Sequence, residues 1–263
     1  MKNNKRSLHN PHLTIGWLYP ELMSTYGDRG NVMVLQKRIE WHGVKANIAR
    51  INHNSGSSTL NSVDLLFMGG AQDIQQEIVQ KDLLKNKGTV ISKMIEDNIP
   101  GLFICGAYQI LGNYYKDAYG KKINGIGLFN MYTESPIDKT RLVGTTVIKP
   151  KIFSGNQSTS SFLVGFENHG GRTYISDKSL MFGSVINGFG NNGKDKTEGI
   201  HYMNAIGTYL HGPILPSNPE LADYLIEKAY RKKYGQNLSL KKIDDSFAHL
   251  AKMKILKRMN IAY

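Results

Sequence analysis

The sequence predicts an α/β fold: a mostly parallel central sheet flanked by helices, with an antiparallel extension in the 120–200 region. Three observations predict it. In the first half of the chain, short apolar runs alternate with segments of helical periodicity. Those runs are continuously apolar, as strands buried on both faces are. Between about Lys121 and Thr197 the composition turns to Gly, Asn, Ser and Thr, with β-type runs separated by turns.

The elements follow in order. "LTIGWLY" (13–19) is a short apolar run, and "GNVMVLQKRIEWHGV" (30–44) places Val32, Leu35, Ile39 and Trp41 near helical spacing, with Gly43 as a stop. "KANIARI" (45–51) alternates as a strand does, and "VDLLFMGG" (63–70) is a buried strand running into a glycine turn. A helical stretch spans about Ile74 to Asn98, with a break near Gly88. "GLFIC" (101–105) is another buried strand, and "AYQILGNYY" reads as the helix after it. "LVGTTVI" and "SFLVGF" belong to the antiparallel extension, and "NAIGTYL" (204–210) is again a buried strand. "SNPELADYLIEKAYRKKYG" (217–235) is a helix, with a Ser217/Glu220 capping box, Pro219 in its first turn and Gly235 at its end. The chain divides into a basic N-terminal segment (1–12), one domain (13–235) and a basic C-terminal helical tail (236–263).

Composition narrows the class. With 40% hydrophobic and 21% charged residues, the 263-residue chain reads as an ordinary globular protein. One cysteine excludes a disulfide framework and a CxxC-type zinc site, so no metal is expected. No apolar run reaches the length of about 20 residues that spans a bilayer, and prolines interrupt the basic N-terminus where a signal peptide would need its apolar core. The expected location is the cytoplasm. The net charge of +12 is concentrated at the ends: from Ile226 onward there are ten Lys/Arg against three acids, while the body is near neutral. A basic tail without a recognition module or interleaved aromatics does not predict nucleic-acid binding. It reads first as a solvated helix, and second as a docking surface for an acidic partner or an anionic membrane.

"GFGNNGKD" (188–195) matches G-x-G-x-x-G and nearly matches a phosphate-binding loop. Both motifs need a helix immediately behind the glycines. Here "KDKTEGIHY" follows and does not read as helical, so no nucleotide site and no cofactor are expected.

The one cysteine, Cys105, ends a buried strand and is followed at once by Gly106. That arrangement exposes a sulfur at the carboxyl edge of the sheet, where open α/β sheets bind ligands. A helix N-terminus behind it would favour the thiolate, and the Gly106 N–H could form half of an oxyanion hole. The other half could come from Gly70 or Ala71, in the similar turn "MGGAQD". A lone strand cysteine is nevertheless core more often than nucleophile. His211 shifts the balance, since it ends the strand "NAIGTYL" and emerges on the same edge. His169, in the glycine-rich loop "ENHGG", either binds substrate or holds that loop together.

"YGDRGN", "FMGGAQD", "GLFICGAYQILG", "YTES" with "RLVG", "GFENHGGRTY", "GFGNN", "EGIHY" and "GTYLHGPILP" together span roughly residues 13–250. As a set they resemble class I glutamine amidotransferases of the cobyric-acid-synthase type. The resemblance implies that Cys105 is the nucleophile, His211 the base, and Arg141 of "RLVG" the residue that holds glutamine. It implies a glutaminase that hydrolyses L-glutamine and passes ammonia to an ATP-dependent, Mur-ligase-like partner in a heterodimer. The partner would hold lipid II and amidate its D-glutamate, bringing the complex to the inner face of the membrane. Other acceptors served by the same branch, and a non-enzymatic basic binding protein, are the alternatives. The wider class I enzymes place a glutamate two residues after the histidine. Here that residue is Pro213, and the sequence names nothing that orients His211 in its place.

Overall fold

The computed structural model describes residues 10–153 and 162–262. The basic residues Lys2, Lys5 and Arg6 lie outside them. The first half runs β1 (His12–Leu18), α1 (Arg29–Trp41), β2 (Lys45–Ile51), β3 (Leu65–Met68), α2 (Asp73–Asp82), α3 (Gly88–Glu96), β4 (Gly101–Ile104) and α4 (Gly106–Ile110). A single π-helical turn, Leu83–Lys87, joins α2 to α3 at the break expected near Gly88.

The second half comprises β5 (Tyr114–Lys116), β6 (Lys122–Asn124), β7 (Met131–Glu134), β8 (Leu142–Pro150), β9 (Leu163–His169), β10 (Arg172–Ile175), β11 (Met181–Asn187), β12 (Thr197–Tyr202) and β13 (Ala205–Thr208). Three helices complete the chain: α5 (Ile214–Ser217), α6 (Pro219–Tyr234) and α7 (Ser246–Arg258).

Nine strands form the main sheet in the order β2-β1-β3-β4-β13-β12-β11-β8-β9. From β2 to β13 every pairing is parallel, and from β13 to β9 every pairing is antiparallel. The expected antiparallel extension is therefore present. A second sheet, β10-β7-β5-β6, is not foreseen by the sequence reading. The central strands β3, β4 and β13 are buried along their whole length, which is why their sequences are apolar without alternation.

Three local expectations are corrected. The helix after Cys105 spans only Gly106–Ile110, because Asn113 N–H turns to the Met131 carbonyl and β5 joins β7 in the small sheet. Trp41 is 54% exposed, whereas Val32, Leu35 and Ile39 are buried. It follows Ile39 by two residues, roughly 200° around the helix and so on the opposite face. No capping box forms, since Ser217 ends α5 and the N-cap of α6 is Asn218. The Asn218 side chain donates to the Val164 and Ile214 carbonyls and accepts from Val164 N–H, tying α6 to β9. Pro219 does open α6, and Gly235 ends it in the left-handed conformation at φ 67°.

The tail helix α7 docks through one face. Leu256 is buried with Val147 and Val164, and Lys252 bonds the Phe162 carbonyl and Glu220. Ahead of it, Asp245 shares the Arg38 guanidinium with Asp223. Among the described residues, no helix is long and apolar enough to cross a membrane.

Candidate active site

Parallel strands deliver their carboxyl ends to one edge, and the chemistry-bearing side chains gather there. Cys105 leaves β4 with φ 51° and ψ −104°, a left-handed backbone that a non-glycine residue adopts only under constraint. Its N–H donates to the Thr208 carbonyl at 2.8 Å, which pins the turn to β13. Because α4 has only five residues, it adds little macrodipole to favour a thiolate. A partner for the sulfur has to come from elsewhere.

It comes from His211. The residue is held in an antiparallel bridge to Phe166 of β9, with His211 N–H donating to the Phe166 carbonyl at 2.8 Å. The imidazole meets Cys105 across the bare α-carbon of Gly70. A Cβ there would lie 2.9 Å from His211 Cε1 and 3.4 Å from Cys105 Cβ. Any side chain at position 70 would separate the pair. Nδ1 of His211 lies 3.4 Å from Asp28 Oδ1, and Nε2 has no hydrogen-bond partner among the described residues. Burial pulls the imidazole pKa down, but the charge of Cys105 and the Asp28 carboxylate outweigh it and raise the pKa from 6.5 to about 10. These neighbours favour the imidazolium form of His211.

Asp28 is fully buried and also accepts from Gly70 N–H at 2.6 Å, while Thr25 N–H donates to the Gly70 carbonyl at 3.1 Å. One carboxylate therefore orients the histidine and clamps the turn after β3. This also corrects the candidate oxyanion set. The Gly70 N–H is committed to Asp28, which leaves Ala71 and Gly106. A Cβ on Gly106 would lie 3.1 Å from Ala71 N, so the backbones of the two residues adjoin. Neither N–H group has a hydrogen-bond acceptor among the described residues.

A cavity of about 800 Å³ opens over Cys105, lined also by Tyr26, Ala71, Gln76, Gln109, Arg141 and His169. Arg141 is turned into place by Asn168, donating from Nε to Oδ1 and from Nη2 to the backbone carbonyl, both at 2.8 Å. Asn168 in turn donates to the Tyr26 hydroxyl at 3.0 Å, and the Tyr26 ring stands edge-on to His211 at 4.9 Å. A continuous chain of contacts thus runs from Arg141 to the histidine.

His169 is buried and stacks flat on Tyr209 at 3.6 Å, with Nδ1 bonded to the Gly171 carbonyl at 2.8 Å. Its Nε2 is 3.6 Å from Glu167, beyond hydrogen-bond range. Burial lowers its pKa despite that neighbour, which favours the neutral ring. Of the two readings of His169, loop organisation is the one its contacts favour. The "GFGNN" loop links β11 to β12 with no helix behind it, and its Phe189 and Gly190 N–H groups donate to the buried Glu167 carboxylate. The anion that this glycine loop holds is the protein's own.

Asp28 is the functional residue that sequence reasoning missed. "YGDRGN" is visible as a motif, but its acid sits far from Cys105 and His211 in the chain. The available signal is that the loop from β1 to α1 opens on the carboxyl edge of a parallel sheet, and Asp28 ends that loop.

Comparison with known proteins follows the same lines. Residues 14–219 match the CobB/CobQ-like glutamine amidotransferase domain family. The chain is 43% identical to the lipid II isoglutaminyl synthase (glutamine-hydrolyzing) subunit GatD of Staphylococcus aureus, over 94% of this chain and 96% of that one. Identity to the subunit of the same name from Streptococcus pneumoniae is 38%, over 89% and 86%. Cobyric acid synthase of Ruminiclostridium cellulolyticum is 30% identical, over 62% of this chain but only 32% of its own length. Among solved structures, the glutaminase domain of Trypanosoma brucei CTPS shares the fold at 12% identity and a TM-score of 0.50, over 89% of this chain and 98% of that one.

Proposed function

The chain belongs to the CobB/CobQ-like glutamine amidotransferase family, and from that premise we propose that it is the glutaminase subunit of a lipid II-amidating enzyme. The observation that carries the reading is one constellation at the floor of the cavity: Cys105 on a strained turn, paired across Gly70 with a His211 that Asp28 orients. The close likeness to two subunits named for lipid II isoglutaminyl synthase, over nearly the whole of each chain, supports the acceptor.

In this reading the Cys105 thiolate attacks the carboxamide carbon of L-glutamine. The Ala71 and Gly106 N–H groups receive the oxyanion that forms, at the stage where such donors act most strongly. Collapse of the tetrahedral adduct breaks the C–N bond. His211, as the imidazolium, gives its proton to the departing nitrogen as ammonia leaves. Water then adds to the γ-glutamyl thioester while His211 takes its proton, and glutamate is released with the thiolate restored. Arg141 grips the α-carboxylate of glutamine, for which a guanidinium offers paired donors.

The ammonia passes to an ATP-dependent, Mur-ligase-like subunit that amidates the D-glutamate of lipid II. The complex works in the cytoplasm, at the membrane face that presents its acceptor. The test uses the chain co-purified with its ligase subunit. The wild-type complex should release glutamate from glutamine, and a glutamine-like electrophile should label Cys105 alone. Full turnover by Cys105→Ala would end the proposal.

A further inference from the structure

Gln76, in the first turns of α2, lies beneath the two backbone donors. Its Nε2 donates to the Ala71 carbonyl at 3.1 Å and to Gln109 Oε1 at 3.3 Å. A Cβ on Gly106 would come within 2.7 Å of that same nitrogen. The residue is 3% exposed, and its Oε1 has no hydrogen-bond partner among the described residues. Its orientation is not arbitrary. The Ala71 carbonyl only accepts, so the amide must turn its NH2 end toward it and leave Oε1 on the other side. A buried amide oxygen without a partner is unfavourable, and a residue that only filled space would avoid that cost. What the amide gains in return is a single nitrogen that ties the turn after β3 to α4 behind Cys105.

We infer that Gln76 is a positioning residue that fixes the spacing of the Ala71 and Gly106 N–H groups around the oxyanion. The inference rests on the glutaminase reading. Backbone donors help the reaction only when both lie within about 2.7–3.1 Å of the place where the negative oxygen forms. Ala71 belongs to a turn and Gly106 to a helix of five residues, and neither element is long enough to fix their separation by itself. Gln76 joins the two elements through the Ala71 carbonyl and the Gln109 side chain of α4.

The experiment compares Gln76→Met and Gln76→Glu in the full chain co-purified with its ligase subunit. Gln76→Met fills the same space without a donor, and its kcat for glutamine hydrolysis should fall by about 10²-fold with KM little changed. Alkylation of Cys105 by iodoacetamide should keep its wild-type rate and pH profile. That reaction displaces iodide from a saturated carbon and develops no oxyanion, so it reads the thiol alone. Gln76→Glu should be as impaired at alkaline pH, where a carboxylate faces the Ala71 carbonyl. Its deficit against wild type should narrow as the pH is lowered, because the protonated acid regains one donor. Unchanged kcat in Gln76→Met would overturn the inference, and so would a parallel loss of iodoacetamide reactivity. If Gln76→Met does not fold, a pH-independent deficit in Gln76→Glu would overturn it equally. Wild-type glutamate release in the same assay reports separately on the glutaminase reading.

Discussion

At the scale of single residues, Asp28 makes the sharpest claim, because one carboxylate serves both His211 Nδ1 and Gly70 N–H. Asp28→Asn keeps the shape but removes the charge that helps hold the imidazolium. It should cut kcat for glutamine hydrolysis within the roughly 10²–10⁴-fold range of acid–base catalysis. The alkaline limb of the iodoacetamide pH profile should also move to lower pH, and a profile that stays in place would dissociate Asp28 from the pair. Arg141→Lys should raise KM for glutamine with little change in kcat, since a point charge replaces a fork that holds the carboxylate in ground and transition states alike. A second carboxyl, Glu198, is fully buried beside Thr208, and burial raises its pKa from 4.5 to about 7. Its neutral form is the one the fold accommodates. The stability it allows is therefore fully present below 4.5 and is lost as pH rises through about 7. Glu198→Gln should gain in melting temperature relative to wild type between pH 5 and pH 8. A difference independent of pH would contradict that sign.

At the scale of elements, the sequence announces what short-range pattern decides and hides what pairing decides. Strands β3, β4 and β13 are legible because burial on both faces makes them wholly apolar and glycine turns end them. The small sheet is not. Tyr114–Lys116 has helical neighbours on its N-terminal side, and only pairing with β6 and β7 makes it a strand. The site divides the same way. Cys105 follows β4 at once, whereas β13 stops at Thr208 and His211 lies three residues past it; Asp28 and Gln76 reach the site only when β1, β3 and β4 bring their loops to one edge. The tail helix α7 makes an element-scale test. Leu256 sits in a small cluster with Val147 of β8 and Val164 of β9. Leu256→Ala should lower unfolding stability by about 2 kcal/mol, the low end for a buried leucine because few neighbours lose contacts. Denaturant titration would measure it, and a null effect would mean that α7 contributes nothing to the fold.

At the scale of the whole molecule, the question is what this chain supplies to its partner. The described part holds a thiol–imidazole pair, a cavity and a glycine loop whose N–H groups already bind Glu167. In the proposed reading, ATP activation of the acceptor falls to the ligase subunit. If the division is complete, the complex carrying Cys105→Ala should fail to amidate lipid II with glutamine and ATP. The same complex should succeed when a high concentration of ammonium salt at mildly alkaline pH replaces glutamine, since free ammonia then reaches the activated acyl group without the glutaminase. His211→Ala should behave alike, because both variants lose the nitrogen source and leave the acyl chemistry untouched. Size-exclusion chromatography must first show that each variant complex is assembled. An assembled complex that ammonium does not rescue would mean that this subunit also shapes the ligase site. The Cys105–His211 site would then act on its partner as well as feeding it.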